Sequence, residues 1–200
     1  MRKILFSGLA ALSLFSIAPL APASAGSYDT GGLSLTRGGG NTNVARGGYS
    51  FAGQGVTTIG GMAYGHGRAL TFGGNNRNVA SGYMSSAQQD ITTIGGQAYG
   101  RGRALTFGGN NRNIASGYMS SAQQDVTTLG GTAYGRGKSL VSGGGNLNRA
   151  SGYLSEADQQ VLTIGGAGKG KNLVFGGYNH NAATGYGSLA QQQVTTLSGQ

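Results

Sequence analysis

The chain has 200 residues, of which 42 are glycine and 2 are proline, with no cysteine and no tryptophan. Glycine does not recur strictly at every third position, which excludes collagen, and the lack of cysteine excludes disulfides as a source of stability. Lys and Arg number 14 against 5 Asp and Glu, a formal net charge of +9, which favours contact with anionic polymers or surfaces.

The N-terminal segment has the features of a Sec-type signal peptide over residues 1–25. A basic pair at positions 2 and 3 precedes an apolar run over residues 4–20, and Ala-Ser-Ala at 23–25 is a small-residue cleavage signal. We expect cleavage before Gly26 and export of the mature chain. A membrane anchor is the alternative, but Pro19 and Pro22 argue against it, and no later segment is long and apolar enough to span a bilayer.

After the signal peptide, one motif occurs five times at a nearly constant spacing. The copies are separated by 35 residues three times and then by 33, and they share the pattern N-x-N-x-A-x-G-x-x-S-x-A-x-Q-x-V-x-T-[IL]. A fixed period of this length is typical of stacked-repeat architectures. The copies begin at Asn41, Asn76, Asn111, Asn146 and Asn179. We predict repeats over residues 26–60, 61–95, 96–130, 131–165 and 166–200.

Each repeat carries strand signals and no helical ones. Residues 103–107, 113–118 and 120–128 alternate in character with a period of two, and Gly-Gly pairs separate these segments. Glycine at this density is too unfavourable in helix interiors. We therefore predict an all-β fold, a β-solenoid of five stacked repeats of about 35 residues, with two or three short strands per rung and about 4.8 Å between rungs.

Stacking turns each repeated position into a column of like residues. Asn and Gln columns can pass amide hydrogen bonds from rung to rung, as they do in cross-β structures. We predict such ladders at Asn43, Asn78, Asn113, Asn148 and Asn181, and at Gln54, Gln89, Gln124, Gln159 and Gln192. The columns that start at Ala45, Ala52, Leu35 and Ile59 are predicted to complete the interior. The face that carries Arg149 should point outward, because burial of its charge would be costly.

The segment GGNNRNIA at residues 108–115, followed by Gln124, resembles curlin repeats, the units of curli-type extracellular amyloid fibres. The resemblance covers residues 26–200, although the period is longer than in that family and Gly-x-x-Ser-x-Ala is inserted between the Ala and the Gln. It implies a secreted subunit of an extracellular cell-surface fibre for adhesion and biofilm matrix. Its partners would be further copies of itself, with a nucleator and outer-membrane secretion proteins.

The segment ASGYMSSAQQ at residues 115–124 also resembles the A-x-G-x-x-S-x-A-x-G units of trimeric autotransporter adhesin heads. Such adhesins need a heptad stalk and C-terminal β-barrel strands for anchorage, and the sequence contains neither pattern. The curlin resemblance is therefore the stronger of the two.

The end rungs of the predicted solenoid are expected to be uncapped. No helical pattern, proline or charge cluster covers the last rung, residues 191–200, and an open strand edge pairs readily with another chain. The chain would be exported unfolded and would add rungs at a fibre end, with the Asn and Gln columns holding the register.

Basic residues recur in two columns, within the pattern Y-G-[HR]-G-[RK]. The tyrosine is present in three of the four copies, as Tyr64, Tyr99 and Tyr134. With His66, the columns contain Arg68, Arg101, Arg103, Arg136, Lys138, Lys169 and Lys171. This basic stripe could hold an anionic polymer, such as a polysaccharide or extracellular DNA, with the tyrosines stacked on sugar or base rings. Alternatively, it is a solvated edge that keeps monomers soluble during export. A surface-associated binding module thus remains the second functional hypothesis.

Catalysis, metal binding and ice binding are disfavoured. His66 and His180 occupy different repeat positions, there is no thiol, and the five acidic residues are predicted to form no paired column. Residues 95–102 lack the aspartate of calcium-binding β-rolls. The threonine column from Thr58 is predicted to face inward, which argues against an ice-binding array. We expect no catalytic residue, no metal, no cofactor and no small-molecule substrate.

Overall fold

The computed structural model describes residues 33–199, which form a β-solenoid of about five turns. The predicted fold class is confirmed: the described residues form parallel sheets of stacked repeats, with several strands per rung and no helix. In this part of the chain, accordingly, no helix could span a bilayer. The predicted signal peptide, residues 1–25, lies outside the described residues.

Four parallel sheets, here named A to D, each take one strand from successive rungs. Sheet A contains β1 (Leu33–Arg37), β5 (Arg68–Phe72), β9 (Arg103–Phe107), β13 (Lys138–Ser142) and β16 (Asn172–Phe175). Sheet B contains β2 (Asn41–Arg46), β6 (Asn75–Ser81), β10 (Asn110–Ser116), β14 (Gly145–Ser151) and β17 (Tyr178–Thr184). Sheet C contains β3 (Tyr49–Ile59), β7 (Met84–Ile94), β11 (Met119–Leu129), β15 (Glu156–Ile164) and β18 (Leu189–Leu197). Sheet D contains the two-residue strands β4 (Met62–Ala63), β8 (Gln97–Ala98) and β12 (Thr132–Ala133).

The strands pair in the register that the repeat spacing predicts. In sheet B, Asn113 lies beside Asn78 on one side and beside Asn148 on the other. In sheet C, Gln124 lies between Gln89 and Gln159 in the same way. Equivalent repeat positions therefore form continuous columns along the solenoid axis.

Each rung is flattened into two layers. Alanines of sheet B, such as Ala115, pack against alanines of sheet C, such as Ala122, while Ala104 of sheet A packs with Ala98 of sheet D. Sheets A and B thus form one layer, and sheets C and D form the other. Because these side chains are small, the backbones approach closely enough for Asn113 Nδ2 to donate to a carbonyl of the opposite layer.

Glycine is required at the turn between sheets A and B. Gly74 and Gly109 both adopt φ of +79°, a left-handed conformation that residues with a Cβ rarely accept. A Cβ on Gly109 would also overlap the carbonyl oxygen of Gly74 on the neighbouring rung. The Gly-Gly pairs of the sequence therefore mark corners of the rung.

The prediction that the leucine and isoleucine columns fill the interior is wrong. The columns that start at Leu35 and Ile59 face outward, and both of these residues are exposed. Side chains alternate between the two faces of a strand, so the buried Ala104 and Thr106 direct Leu105 outward. The closely spaced layers accept alanine, threonine and amide side chains, and the buried aliphatic column is instead Val56, Ile91, Val126 and Val161.

A set of buried threonine hydroxyls has no hydrogen-bond partner. Its members are Thr58, Thr71, Thr93, Thr106, Thr128 and Thr163. In sheet A the next rung places Val141 beside Thr106 in the same column. Valine therefore already occupies an equivalent interior position. The buried hydroxyl of Thr106 carries a desolvation cost that no hydrogen bond offsets.

We expect Thr106→Val to leave the free energy of unfolding unchanged or to raise it by up to about 1 kcal/mol, because it removes an unpartnered buried hydroxyl. Ser120→Ala is the control, since the Ser120 hydroxyl donates to the Ser151 carbonyl at 3.0 Å and its loss should cost about 1 kcal/mol. Denaturant unfolding of the monomeric chain measures both. A larger loss for Thr106→Val than for Ser120→Ala would contradict the structural assignment.

Candidate functional site

The predicted glutamine column forms an unbroken hydrogen-bonded ladder inside sheet C. From the second rung onward, each Nε2 donates to the Oε1 of the preceding rung. The distances are 2.7 Å from Gln89 to Gln54, 2.7 Å from Gln124 to Gln89, 2.6 Å from Gln159 to Gln124 and 2.6 Å from Gln192 to Gln159. The three middle glutamines are at most 1% exposed. A buried amide must be paired, so a one-residue slip of any strand would break this ladder.

The predicted asparagine column donates in the opposite direction along the axis. Nδ2 of Asn78 donates to Asn113 at 3.0 Å, Asn113 to Asn148 at 2.9 Å, and Asn148 to Asn181 at 3.0 Å. Asn43 instead donates to a backbone carbonyl of its own rung, and Asn78 Oδ1 is left without a partner. The ladder therefore starts at the second rung.

A third amide ladder was not predicted from the sequence. It consists of the asparagines that open each copy of the motif, with donation from Asn41 to Asn76 at 3.0 Å, from Asn76 to Asn111 at 2.9 Å, from Asn111 to Asn146 at 2.9 Å and from Asn146 to Asn179 at 2.8 Å. The signal was present, because Asn41 lies two residues before Asn43 and a strand places such positions on one face.

The ladders leave complementary groups on the two end rungs. Gln54 Nε2 on the first rung is buried without a hydrogen-bond partner. On the last rung, Gln192 Oε1 accepts no hydrogen bond from any residue in the range 33–199, and Gln192 and Val194 are exposed. One end thus holds an unpaired, buried donor, and the other end carries an exposed acceptor of the same column.

The basic stripe is exposed and divides between a sheet face and a loop. Arg68, Arg103 and Lys138 are in-register partners on the outer face of sheet A. His66, Arg101, Arg136, Lys169 and Lys171 lie in the loops that enter sheet A. All of these residues are exposed, and within residues 33–199 no Lys or Arg forms an ion pair with an acidic side chain.

Stacked tyrosines accompany the loop part of the basic stripe. The ring centroids of Tyr64 and Tyr99 are 5.0 Å apart, and those of Tyr99 and Tyr134 are 4.6 Å apart. Desolvation and the neighbouring hydroxyls of Tyr134 and Tyr64 raise the pKa of Tyr99 above its ordinary value. The stripe therefore presents aromatic faces and cations side by side.

No protein-family model, curated protein or solved structure matches this chain. The ladders, the end rungs and the charged surfaces of the described residues are therefore the features that bear on function.

A second tyrosine column, which sequence reasoning missed, lies at the corner between sheets B and C. The centroids are 5.1 Å apart for Tyr83 and Tyr118, 4.9 Å for Tyr118 and Tyr153, and 5.3 Å for Tyr153 and Tyr186. The four side chains are exposed. The Gly-Tyr pair inside each of these motif copies was the available signal.

The acidic residues occupy a different surface from the basic ones. The four within residues 33–199 all lie on the outer face of sheet C, and they are Asp90, Asp125, Glu156 and Asp158. The prediction that no acids pair in a column is wrong, because Asp90 lies in register beside Asp125. Desolvation, Asp90 and Asp158 together raise the pKa of Asp125 above its ordinary value. Among residues 33–199, no group of three or more acidic or histidine side chains is placed to hold a metal ion.

Proposed function

We propose that this chain is a secreted, self-assembling structural subunit of an extracellular, curli-like amyloid fibre that serves adhesion and biofilm matrix. The observation that carries the proposal is the match between the unpaired amide groups of the two end rungs. Gln54 carries an unpaired, buried Nε2 donor on the first rung, and Gln192 carries an Oε1 acceptor on the last that is unpaired within residues 33–199.

Head-to-tail stacking continues the ladders. When the first rung of one copy follows the last rung of another, Gln54 donates to Gln192 in the direction that every internal pair uses. The ladder of Asn41 continues with the opposite direction of donation, from Asn179 to Asn41. Asn181 can likewise donate to Asn43, where that column stops because Asn43 donates within its own rung. Head-to-head stacking would oppose two donors or two acceptors of one column, so the fibre would be polar.

The open edges of the end strands supply the backbone part of this association. Strands β1 to β3 at one end and β16 to β18 at the other each pair on one side only within residues 33–199. Unpaired strand edges are templates for another chain. The resemblance to curlin repeats supports export, an extracellular location, and a nucleator and outer-membrane secretion proteins as partners, with no enzymatic role.

Seeded elongation tests this function. We expect Gln192→Leu to slow elongation from fibre seeds about tenfold, because it removes the acceptor that would pair the buried Nε2 of Gln54 in the incoming copy. Gln193→Leu is the matched control, since it changes the adjacent, outward-facing residue of β18, and it should elongate at the unmodified rate. Equal rates for the two variants would contradict the end-rung mechanism. Failure of the unmodified chain to elongate at all would contradict the fibre.

The second candidate is a surface-associated module that holds an anionic polymer through the basic stripe. It is favoured by the stacked Tyr64, Tyr99 and Tyr134 beside cations that have no acidic partner. Binding to a polyanion should weaken steeply with ionic strength, whereas elongation through neutral amide ladders should not. Arg101→Gln with Arg136→Gln should reduce polyanion binding and leave elongation unchanged.

A further inference from the structure

Positive and negative charges are sorted onto opposite faces of the flattened solenoid. Within residues 33–199, every Lys and Arg lies on the outer face of sheet A or B or in the loops that enter sheet A. All four acidic residues of this range lie on the outer face of sheet C. Because sheets A and B form one layer and sheet C belongs to the other, the cations on the strands of sheets A and B and the acidic residues of sheet C point in opposite directions.

The hydrogen bonds across the interior fix which residues of the two layers lie at the same level. Asn78 Nδ2 donates to the Gln88 carbonyl at 2.8 Å, and the equivalent bond from Asn148 to the Asp158 carbonyl is 2.7 Å. The chain reverses direction at the corner between sheets B and C, so Asp90 lies at the level of Asn76. Each aspartate is therefore within one residue of the level of an outward arginine on the opposite face of the same rung.

This correspondence recurs on three successive rungs. The residues at matching levels are Asp90 and Arg77, Asp125 and Arg112, and Asp158 and Arg149. The three arginines are exposed, as are Asp90 and Asp125, while Asp158 is half-buried. A second solenoid displaced by one solenoid thickness, without rotation, would bring its arginines over these aspartates.

We propose that solenoids associate side by side, with the acidic outer face of sheet C of one copy docked on the basic outer face of sheet B of the next. The occupant of each face is thus a second copy of this chain, selected by charge complementarity. The two surfaces differ, so the contact is heterologous and leaves both outer faces of a pair free to bind further copies. Side-by-side docking uses neither end rung, so it goes beyond the proposed function and would bundle fibres where fibres form.

Repulsion within each column favours this contact. Asp90 lies in register beside Asp125, and Arg77 lies in register beside Arg112, and like charges directly opposite on neighbouring strands are destabilising. No ion pair within residues 33–199 relieves either column. Docking places each cation column against an anion column at the spacing of about 10 Å that stacked sheets adopt.

A charge exchange between the two faces tests the docking. One full-length variant combines Asp90→Arg with Asp125→Arg, and a second combines Arg77→Asp with Arg112→Asp. In each variant by itself, the outer faces of sheets B and C carry charge of the same sign. We therefore expect the lateral association of either variant to weaken about tenfold at low ionic strength. An equimolar mixture should recover lateral pairing, because the altered sheet C of the first variant complements the altered sheet B of the second. The cross-section by small-angle X-ray scattering and fibre width by electron microscopy measure the association.

The controls separate this docking from net charge, folding and end-to-end stacking. Arg101→Asp with Arg136→Asp makes the same charge change in the loops and should keep the lateral association. Elongation rates from seeds, measured on the same samples, should be unchanged for every variant, which distinguishes a failure of docking from a failure of fibre growth. Failure of the mixture to recover pairing, or an equal effect of the loop variant, would overturn the proposal. The proposal would also be overturned if the Arg77→Asp, Arg112→Asp variant lost polyanion binding but kept its lateral association.

Discussion

Replacing Gln89 with glutamate is expected to destabilise the solenoid more than any other single change in the amide ladders. Gln89 is fully buried, donates to Gln54 at 2.7 Å and accepts from Gln124 at 2.7 Å. Gln89→Glu would bury a carboxylate. It would also place a carboxylate oxygen against Gln54 Oε1, which now accepts a hydrogen bond from Gln89 Nε2. We expect the free energy of unfolding at pH 7 to fall by about 3–5 kcal/mol, the usual cost of an uncompensated buried charge.

The pH dependence of this variant gives a second measurement. Burial raises the pKa of an introduced carboxyl in the folded state above its unfolded value of about 4.3. The folded state then binds more protons than the unfolded state between these two pKa values, so stability is retained below pH of about 4.3 and is lost as the pH rises. Gln88→Glu is the control, because Gln88 is exposed on the same strand, and it should change little. Equal losses at positions 88 and 89 would mean that the inward assignment of the ladder is incorrect.

Gly117→Ala is expected to prevent the middle rungs from stacking. A Cβ at this position would overlap the carbonyl oxygen of Gly82 on the adjacent rung. The backbone cannot withdraw, because Gly117 N donates to the Ser151 carbonyl of the following rung at 2.9 Å. We expect a loss of more than about 3 kcal/mol in the free energy of unfolding, above the ordinary range for overpacking, because the added Cβ would meet a backbone carbonyl that cannot rotate away as a side chain could.

Circular dichroism and denaturant unfolding measure the effect of Gly117→Ala. Gly55→Ala is the matched control, because Gly55 faces outward in β3 and a Cβ there would meet no atom within 4 Å. This control should be neutral or slightly stabilising, since alanine restricts the unfolded chain. A Gly117→Ala chain as stable as the Gly55→Ala chain would contradict the close stacking of the corner.

The repeat spacing was sufficient to predict the columns, because parallel strands in register place residues one period apart beside each other. It also predicted the burial of Asn113 and Ala115. Ile114 between them is in register with the charged Arg149, which must face outward, so alternation places its two neighbours on the inner face. The inward face of residues 103–107 was assigned incorrectly because leucine is the more hydrophobic choice. Arg103 shares a face with Leu105 in β9, and that charge indicated the outward direction.

The charged faces could not be predicted from the sequence in the same way. The pairing of Asp90 with Asp125 alone was predictable, because the two residues are one repeat period apart. The opposition of acidic and basic surfaces depends on which sheets share a layer. That arrangement is set by contacts between alanines of different strands, such as Ala80 with Ala87, and each alanine column is compatible with several partners.

Fibre X-ray diffraction on residues 26–200 after extended incubation tests end-to-end assembly most directly. Head-to-tail stacking predicts a meridional reflection near 4.7–4.8 Å, an equatorial reflection near 10 Å, and an axial repeat of about 24 Å for five rungs per copy. A solution that remains clear and monomeric, with β-type circular dichroism, would contradict self-assembly through the end rungs.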